Sequence, residues 1–97
     1  MKEKIIESGN LLIKLRTMTR ARYLEILREY MSTNDAVKFA DDLVFYSIVS
    51  WNVKDKDGNI LPITREIFHN NVFADITNEL QEAAVEVNNL KPIEKKT

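Results

Sequence analysis

Few residues of this chain have types and spacing that could do chemistry. Asp55, Asp57 and Asn59 offer oxygen donors at alternate positions around Gly58, as a calcium loop does. Placing Gly58 at loop position six puts Val53 at position one and Thr64 at position twelve, where calcium needs an Asp and a bidentate Glu. Two obligatory ligands are missing, so the segment reads as a turn with a polar tip. His69 is the single imidazole, with no Cys and no second His at the four-residue spacing of helical zinc sites. It reads as structural or exposed. Asp41 and Asp42 are adjacent, and on a helix they point about 100 degrees apart, which does not converge them for acid–base work. Lys14, Arg16, Arg20, Arg22 and Arg28 form a basic set with Tyr23 and Tyr30 nearby for stacking on bases. Glu25 and Glu29 interrupt it and the tyrosines belong to an apolar stripe, which favours a solvated face or a docking surface for an acidic helix. No catalytic, metal-binding or cofactor-binding set emerges, and the expectation is a non-enzymatic protein.

Composition supports the same reading. With 97 residues, 44% hydrophobic and 30% charged, the chain suits one small folded domain spanning 1–97. Its 14 basic and 15 acidic residues leave a net charge of -1, which gives no general attraction to nucleic acid or to anionic membranes. That charge is unevenly spread. Met1 to Met31 carries seven basic and four acidic residues, net +3, and Ser32 to Thr97 carries seven and eleven, net -4. Halves of opposite sign suit intramolecular packing or head-to-tail contact between copies. The longest apolar run, Leu43 to Trp51, includes Ser47 and Ser50 and falls far short of the roughly 20 residues that cross a bilayer. Lys14 and Arg16 break and follow the Leu11-Leu12-Ile13 run, which is no signal peptide, so a cytoplasmic protein with no membrane partner is expected.

The elements that must position these residues follow from periodicity. Leu11, Ile13 and Leu15 alternate with Lys14 and Arg16 as in a short N-terminal strand. Tyr23, Leu24, Leu27, Tyr30 and Met31 recur at helical spacing after Thr19, a good N-cap. Ser32 and Asp35, at capping-box spacing, predict a second helix from about Asp35 to Ser50 with Ala36, Val37, Ala40, Leu43, Val44 and Ile48 on one face. A strand over Leu43 to Val49 also stays open, since short apolar runs are ambiguous. Phe39, Phe45, Tyr46 and Val49 lie beyond the helical stripe, and a helix apolar around most of its girth is buried or covered by a partner. Asp57-Gly58 between Val53 and Ile60 predicts a β-hairpin over about Trp51 to Ile63. Thr64 opens a third helix that Asn70-Asn71 breaks. A last, acidic helix runs from Val72 to about Asn88, its seam formed by Phe73, Ile76, Leu80, Ala83, Val87 and Leu90. The expected fold is mainly α: three to four helices, one short hairpin and a short N-terminal strand, with flexible ends at about 1–10 and 91–97.

The ordered set Ile48, Val49, Trp51, Val53, Asp55, Asp57, Gly58, Leu61, Pro62 and Thr64 resembles a segment of the tail assembly chaperones of long-tailed double-stranded DNA phages and prophages. In that family a hydrophobic helix ends in Trp, an Asp-Gly hairpin follows, and Leu-Pro-x-Thr opens the next helix. The likeness covers about Asn34 to Leu90. It implies a non-enzymatic helical protein of the bacterial host cytoplasm that binds the tape measure protein and assists assembly of the tail tube protein around it; self-association is expected from the apolar excess of the second helix and the split charge. Phe39, Leu43, Phe45, Tyr46 and Val49 would form the binding surface, with Trp51 anchoring it or packed beneath the hairpin. The other readings are a small nucleic-acid-binding regulator using the basic first helix, or another phage structural component.

Overall fold

The computed structural model describes residues 1–90. Its elements run β1 (Glu3–Ser8), β2 (Leu11–Arg16), α1 (Arg20–Thr33), α2 (Ala36–Ser47), β3 (Ile48–Trp51), α3 (Arg65–Asn71), a 3-10 turn (Ala74–Ile76) and α4 (Thr77–Val87). Four α-helices and a three-stranded antiparallel sheet, ordered β1-β2-β3, make this an α+β domain and correct the mainly α expectation.

Two segments account for the correction. Glu3–Ser8, in the arm expected to be flexible, pairs with β2 along its full length, from Glu3↔Arg16 to Ser8↔Leu11. Gly9 turns the chain between the strands at φ 59°, a left-handed value without a Cβ clash in glycine. The second segment is the end of the apolar run. α2 stops at Ser47 rather than Ser50, and Ile48–Trp51 continues as β3 against β2, with Trp51 opposite Ile13 and Ile48 opposite Leu15. β-branched and aromatic residues suit extended backbone, and β2 supplies the ladder that the helix would otherwise provide. The register shifts here, leaving Val49 as an extra residue between Ile48 and Ser50. The other end, 91–97, lies outside the described residues.

Period-two alternation gives the sheet two unlike faces. Ile6, Ile13, Leu15, Ile48 and Trp51 are buried on one face, against which α2 and α4 pack. Glu3, Ile5, Glu7 and Leu12 stand on the other, with Lys14 and Arg16, and Ile5 is 59% exposed there. In the helical layer α2 is central: α1 and α4 each pack on it, and no substantial contact joins those two to one another.

The expected hairpin over Trp51 to Ile63 reduces to a turn with one bridge, Lys54↔Ile60. Asp55 Oδ1 accepts the backbone N–H groups of Asp57 at 2.9 Å and Asn59 at 3.0 Å, so the would-be calcium ligand is engaged in holding its own turn. Trp51 lies beneath this turn and donates its Nε1–H to Leu61 O at 2.8 Å. Thr19 and Thr64 cap α1 and α3 as their positions predict. Asp35, rather than Ser32, caps α2. The last helix starts at Thr77 instead of Val72, because the chain is extended at Phe73 (φ -87°, ψ 157°) and then makes a 3-10 turn. That difference takes Phe73 out of the core seam and leaves it 74% exposed.

Candidate docking groove

α2 divides its side chains by helical spacing among three neighbours. Leu43 and Ser47 point into the core and are buried. Phe39 and Tyr46 point toward α1: Phe39 stacks on Tyr30 at 4.7 Å between ring centroids, and the Arg22 guanidinium lies 4.4 Å over the Tyr46 ring. Val37, Asp41 and Val44, at i, i+4 and i+7, fall on a third side, toward α3: Val37 is exposed, Asp41 is half-buried against Arg65 and His69, and Val44 is buried.

Along this third side run two adjoining hollows that share Asp41 and His69. The deeper one, a cavity of about 300 Å³, is walled by Val44 of α2, Phe68 of α3, Val72 and Phe73 of the segment that follows it, and Thr77 and Leu80 of α4. The shallower one continues past Arg65 to Val37 and Asp35 at the start of α2. Val37 was expected on the core face of its helix and is instead 81% exposed. The first turn of α2 projects beyond the body that buries Leu43 and Val44. The groove therefore has an exposed apolar residue at each end, Val37 and Phe73, and a polar knot midway.

That knot joins α1, α2 and α3. Arg65 Nη1 donates to Asp41 Oδ2 at 2.8 Å and lies 2.7 Å from Asp42 Oδ1, out of line for a hydrogen bond, so that oxygen has a charge partner but accepts no hydrogen bond. His69 Nε2 is 2.8 Å from the same Asp41 oxygen. Lys38 Nζ donates at 2.9 Å to both Asp42 Oδ2 and Glu29 Oε2, which continues the chain of charges to α1. Partial burial of Arg65 works against its charge, but Asp42, Tyr46 and Asp41 hold its pKa above the ordinary value. Asp42 and then Glu29 raise Lys38 in the same direction. Asp41 and Asp42 diverge on the helix, as their spacing requires, yet a single guanidinium spans both. Sequence spacing along one helix carries no information on Arg65, 24 positions from Asp41.

The six residues expected to form one binding surface separate. Leu43 and Trp51 are core side chains, each 7% exposed, so a partner reaches them only if the fold opens. Phe39, Phe45 and Tyr46 lie along α2 among aromatic and cationic neighbours, with Arg65 4.5 Å over the Phe45 ring. Val49 is at the register shift of the sheet, apart from the others. Sequence reasoning missed Val37 and Phe73 as surface residues, because helical periodicity assigned both to apolar seams.

The basic set is partly consumed. Lys14 and Arg16 both contact Glu3, at 3.3 and 2.7 Å, and Arg22 pairs with Glu25 at 3.0 Å. Among the described residues no three His, Asp or Glu side chains gather as metal donors, and no helix is long and apolar enough to cross a membrane. Comparison of the chain with family models, curated proteins and solved structures returns no match.

Proposed function

We propose that this protein is a non-enzymatic assembly factor of the tail assembly chaperone kind, and that it holds an amphipathic helix of the tape measure protein in the α2–α3–α4 groove. The supporting observation is the groove itself, open along its length and bounded by Val37 and Phe73, both largely exposed. Helix-in-groove recognition uses apolar anchors spaced along one face of the bound helix, and a groove with two apolar ends matches that layout. Asp41 Oδ2 already receives Arg65 and His69, while Oδ1 makes no hydrogen bond to a described residue and can accept one from a donor on the bound helix. Burying a Phe and a Val side chain contributes roughly 1.5–3 kcal/mol each before the costs of association. The resemblance of Ile48 to Thr64 supplies the identity of the partner; the groove supplies its docking mode.

Co-expression with the tape measure protein of the same phage or prophage, followed by size-exclusion chromatography with light scattering, tests this reading. Co-elution that is lost in Phe73→Ser and Val37→Ser, and kept in Tyr46→Ser, is the expected result. If the tape measure protein precipitates and this protein elutes alone, the reading fails. If Tyr46→Ser releases the partner and Phe73→Ser does not, the docking mode fails and the α1 side of α2 takes its place.

A further inference from the structure

β1 is an outer strand of the sheet, and among the described residues nothing pairs with its far edge. Thr17 N–H donates to Lys2 O at 3.0 Å, which fixes the phase of the ladder. The backbones of Lys4, Ile6 and Ser8 face β2, and those of Glu3, Ile5 and Glu7 face outward. On its other side β2 keeps the same phase, with Asn52 N–H donating to Leu12 O at 3.1 Å. Each outward residue of β1 offers one N–H and one C=O to a newcomer. Natural edges are blunted by a proline, a bulge, a very short strand or an inward-pointing charge. β1 has six residues in unbroken register with β2 and no proline, and its inward-pointing charge, Lys4, is engaged by Glu86. The surroundings of this edge are acidic. Ile5, 59% exposed, stands between Glu3 and Glu7 on the outer face of the sheet. Glu7 forms no ion pair with a described residue, while Arg16 and Lys14 both take Oε2 of Glu3 and leave its Oε1 without a hydrogen bond to one. Below the sheet, Glu86 and Glu82 of α4 lie near Lys4 and hold its pKa above the ordinary value.

We propose that the open edge of β1 takes up an extended, basic segment of another protein as an added strand, with the pattern basic-x-aliphatic-x-basic. Main-chain hydrogen bonds to Glu3, Ile5 and Glu7 hold the segment, and its alternate side chains give specificity. The aliphatic residue packs beside Ile5, and the two basic residues lie beside Glu3 and Glu7. Complementary charge is what commits the edge to this occupant. The β1 strand of a second copy does not suit it: paired antiparallel about Ile5, two such strands set Glu3 of each against Glu7 of the other, and paired parallel in register they set each glutamate against itself. Like charges directly opposite one another destabilise a strand pair. The carboxylates of α4 beneath the edge add to the preference for a basic segment.

Amide hydrogen exchange by NMR on the whole protein tests this, with the end-capped peptide Thr-Lys-Thr-Val-Thr-Lys-Thr as the probe. Its pattern reads the same in both directions, so it serves a parallel or an antiparallel approach. In the free protein the amides of Lys4, Ile6 and Ser8 are expected to exchange more slowly than those of Glu3, Ile5 and Glu7. Peptide at up to about 1 mM is expected to slow the latter three by about fivefold or more and to leave the alternate amides unchanged. Glu7→Lys is expected to weaken binding roughly two- to fivefold. Ile5→Pro removes an N–H that the ladder with β2 does not use, so it is expected to abolish binding with the circular dichroism of the wild-type fold, while Ile5→Val binds. Glu3, Ile5 and Glu7 amides that are already slow in the free protein, at low or high protein concentration, overturn the proposal, because the edge then has another occupant. So does the absence of binding at about 1 mM, protection without the alternation, or equal binding of Thr-Glu-Thr-Val-Thr-Glu-Thr. A folded Ile5→Pro protein that binds as the wild type does also overturns it. The tape measure protein is absent from these samples and the edge lies apart from the α2–α3–α4 groove, so the outcome is independent of the proposed helix docking.

Discussion

α1 and α4 flank the same helix, yet they are held in opposite ways. α4 spans 11 residues and buries Leu80, Ala83, Ala84 and Val87, with Ile76 buried just before it. α1 spans 14 residues and buries only Ile26. α4 also reaches the sheet, where Lys4 of β1 pairs with Glu86 at 2.6 Å, whereas α1 has α2 as its one extensive neighbour. Its further attachments are polar or aromatic: Glu29 to Lys38, Arg22 over Tyr46, and Tyr30 on Phe39. Length does not decide how firmly a helix is bound; the apolar surface that it removes from water does. α4 is part of the core, and α1 is an arm laid on it.

Changes at four sites break or sharpen this contrast. Leu80→Ala is expected to cost about 3–4 kcal/mol, because the side chain is 3% exposed and its removal leaves a cavity under α4. Urea unfolding checks it, and the whole domain should lose stability together. Ile26→Ala is expected to cost about 2 kcal/mol, nearer the lower end for such truncations, since an arm on one neighbour relaxes into the space more readily. Hydrogen exchange should show α1 amides opening well before those of α4, in the wild-type protein and more so in the variant. Equal protection of the two helices would remove the contrast.

Arg65→Ala is expected to cost about 1–3 kcal/mol, because Asp42, whose side chain is 4% exposed, then keeps only Lys38 as a cationic partner. Arg65→Lys should recover part of the loss, since an ammonium supplies the charge but not the planar guanidinium that spans both aspartates. The smallest effect is that of the surface pair. Lys4 holds the Glu86 carboxyl below its ordinary value of 4.5, and Glu86 holds Lys4 above its own. A carboxyl with a lowered folded-state pKa contributes stability above pH 4.5 and loses it as the pH falls through the folded value. NMR titration should find Glu86 titrating lower in the wild-type protein than in Lys4→Met, with little change in stability at neutral pH.

Much of the local structure was legible in the residues, for reasons that act over a few positions. Thr19 and Thr64 cap their helices because a short hydroxyl reaches a free amide three residues on. Ile13 and Leu15 are buried on one face of β2 because strand side chains alternate. The signal for β1 was also present: Gly9-Asn10 separates two six-residue segments that each carry paired apolar residues. The six charged or polar residues before Leu11 masked it. The groove was less legible. Val37 and Phe73 both fit a helical apolar stripe, and periodicity cannot tell where a helix projects beyond its core or begins a turn late.

Sequence alone determined the caps, the turns, the buried face of β2, the polarity of charge along the chain and the apolar excess between Leu43 and Trp51. Tertiary structure decided that this excess divides between α2 and β3, because β2 offers Ile48–Trp51 a hydrogen-bonding partner that no local propensity could announce. It also decided that Arg65 brings together two carboxylates pointing apart, and that basic and acidic helices sit on opposite flanks of α2. Short-range preferences are written in neighbouring residues; which distant segments meet depends on how all the apolar surfaces of the chain are buried at once.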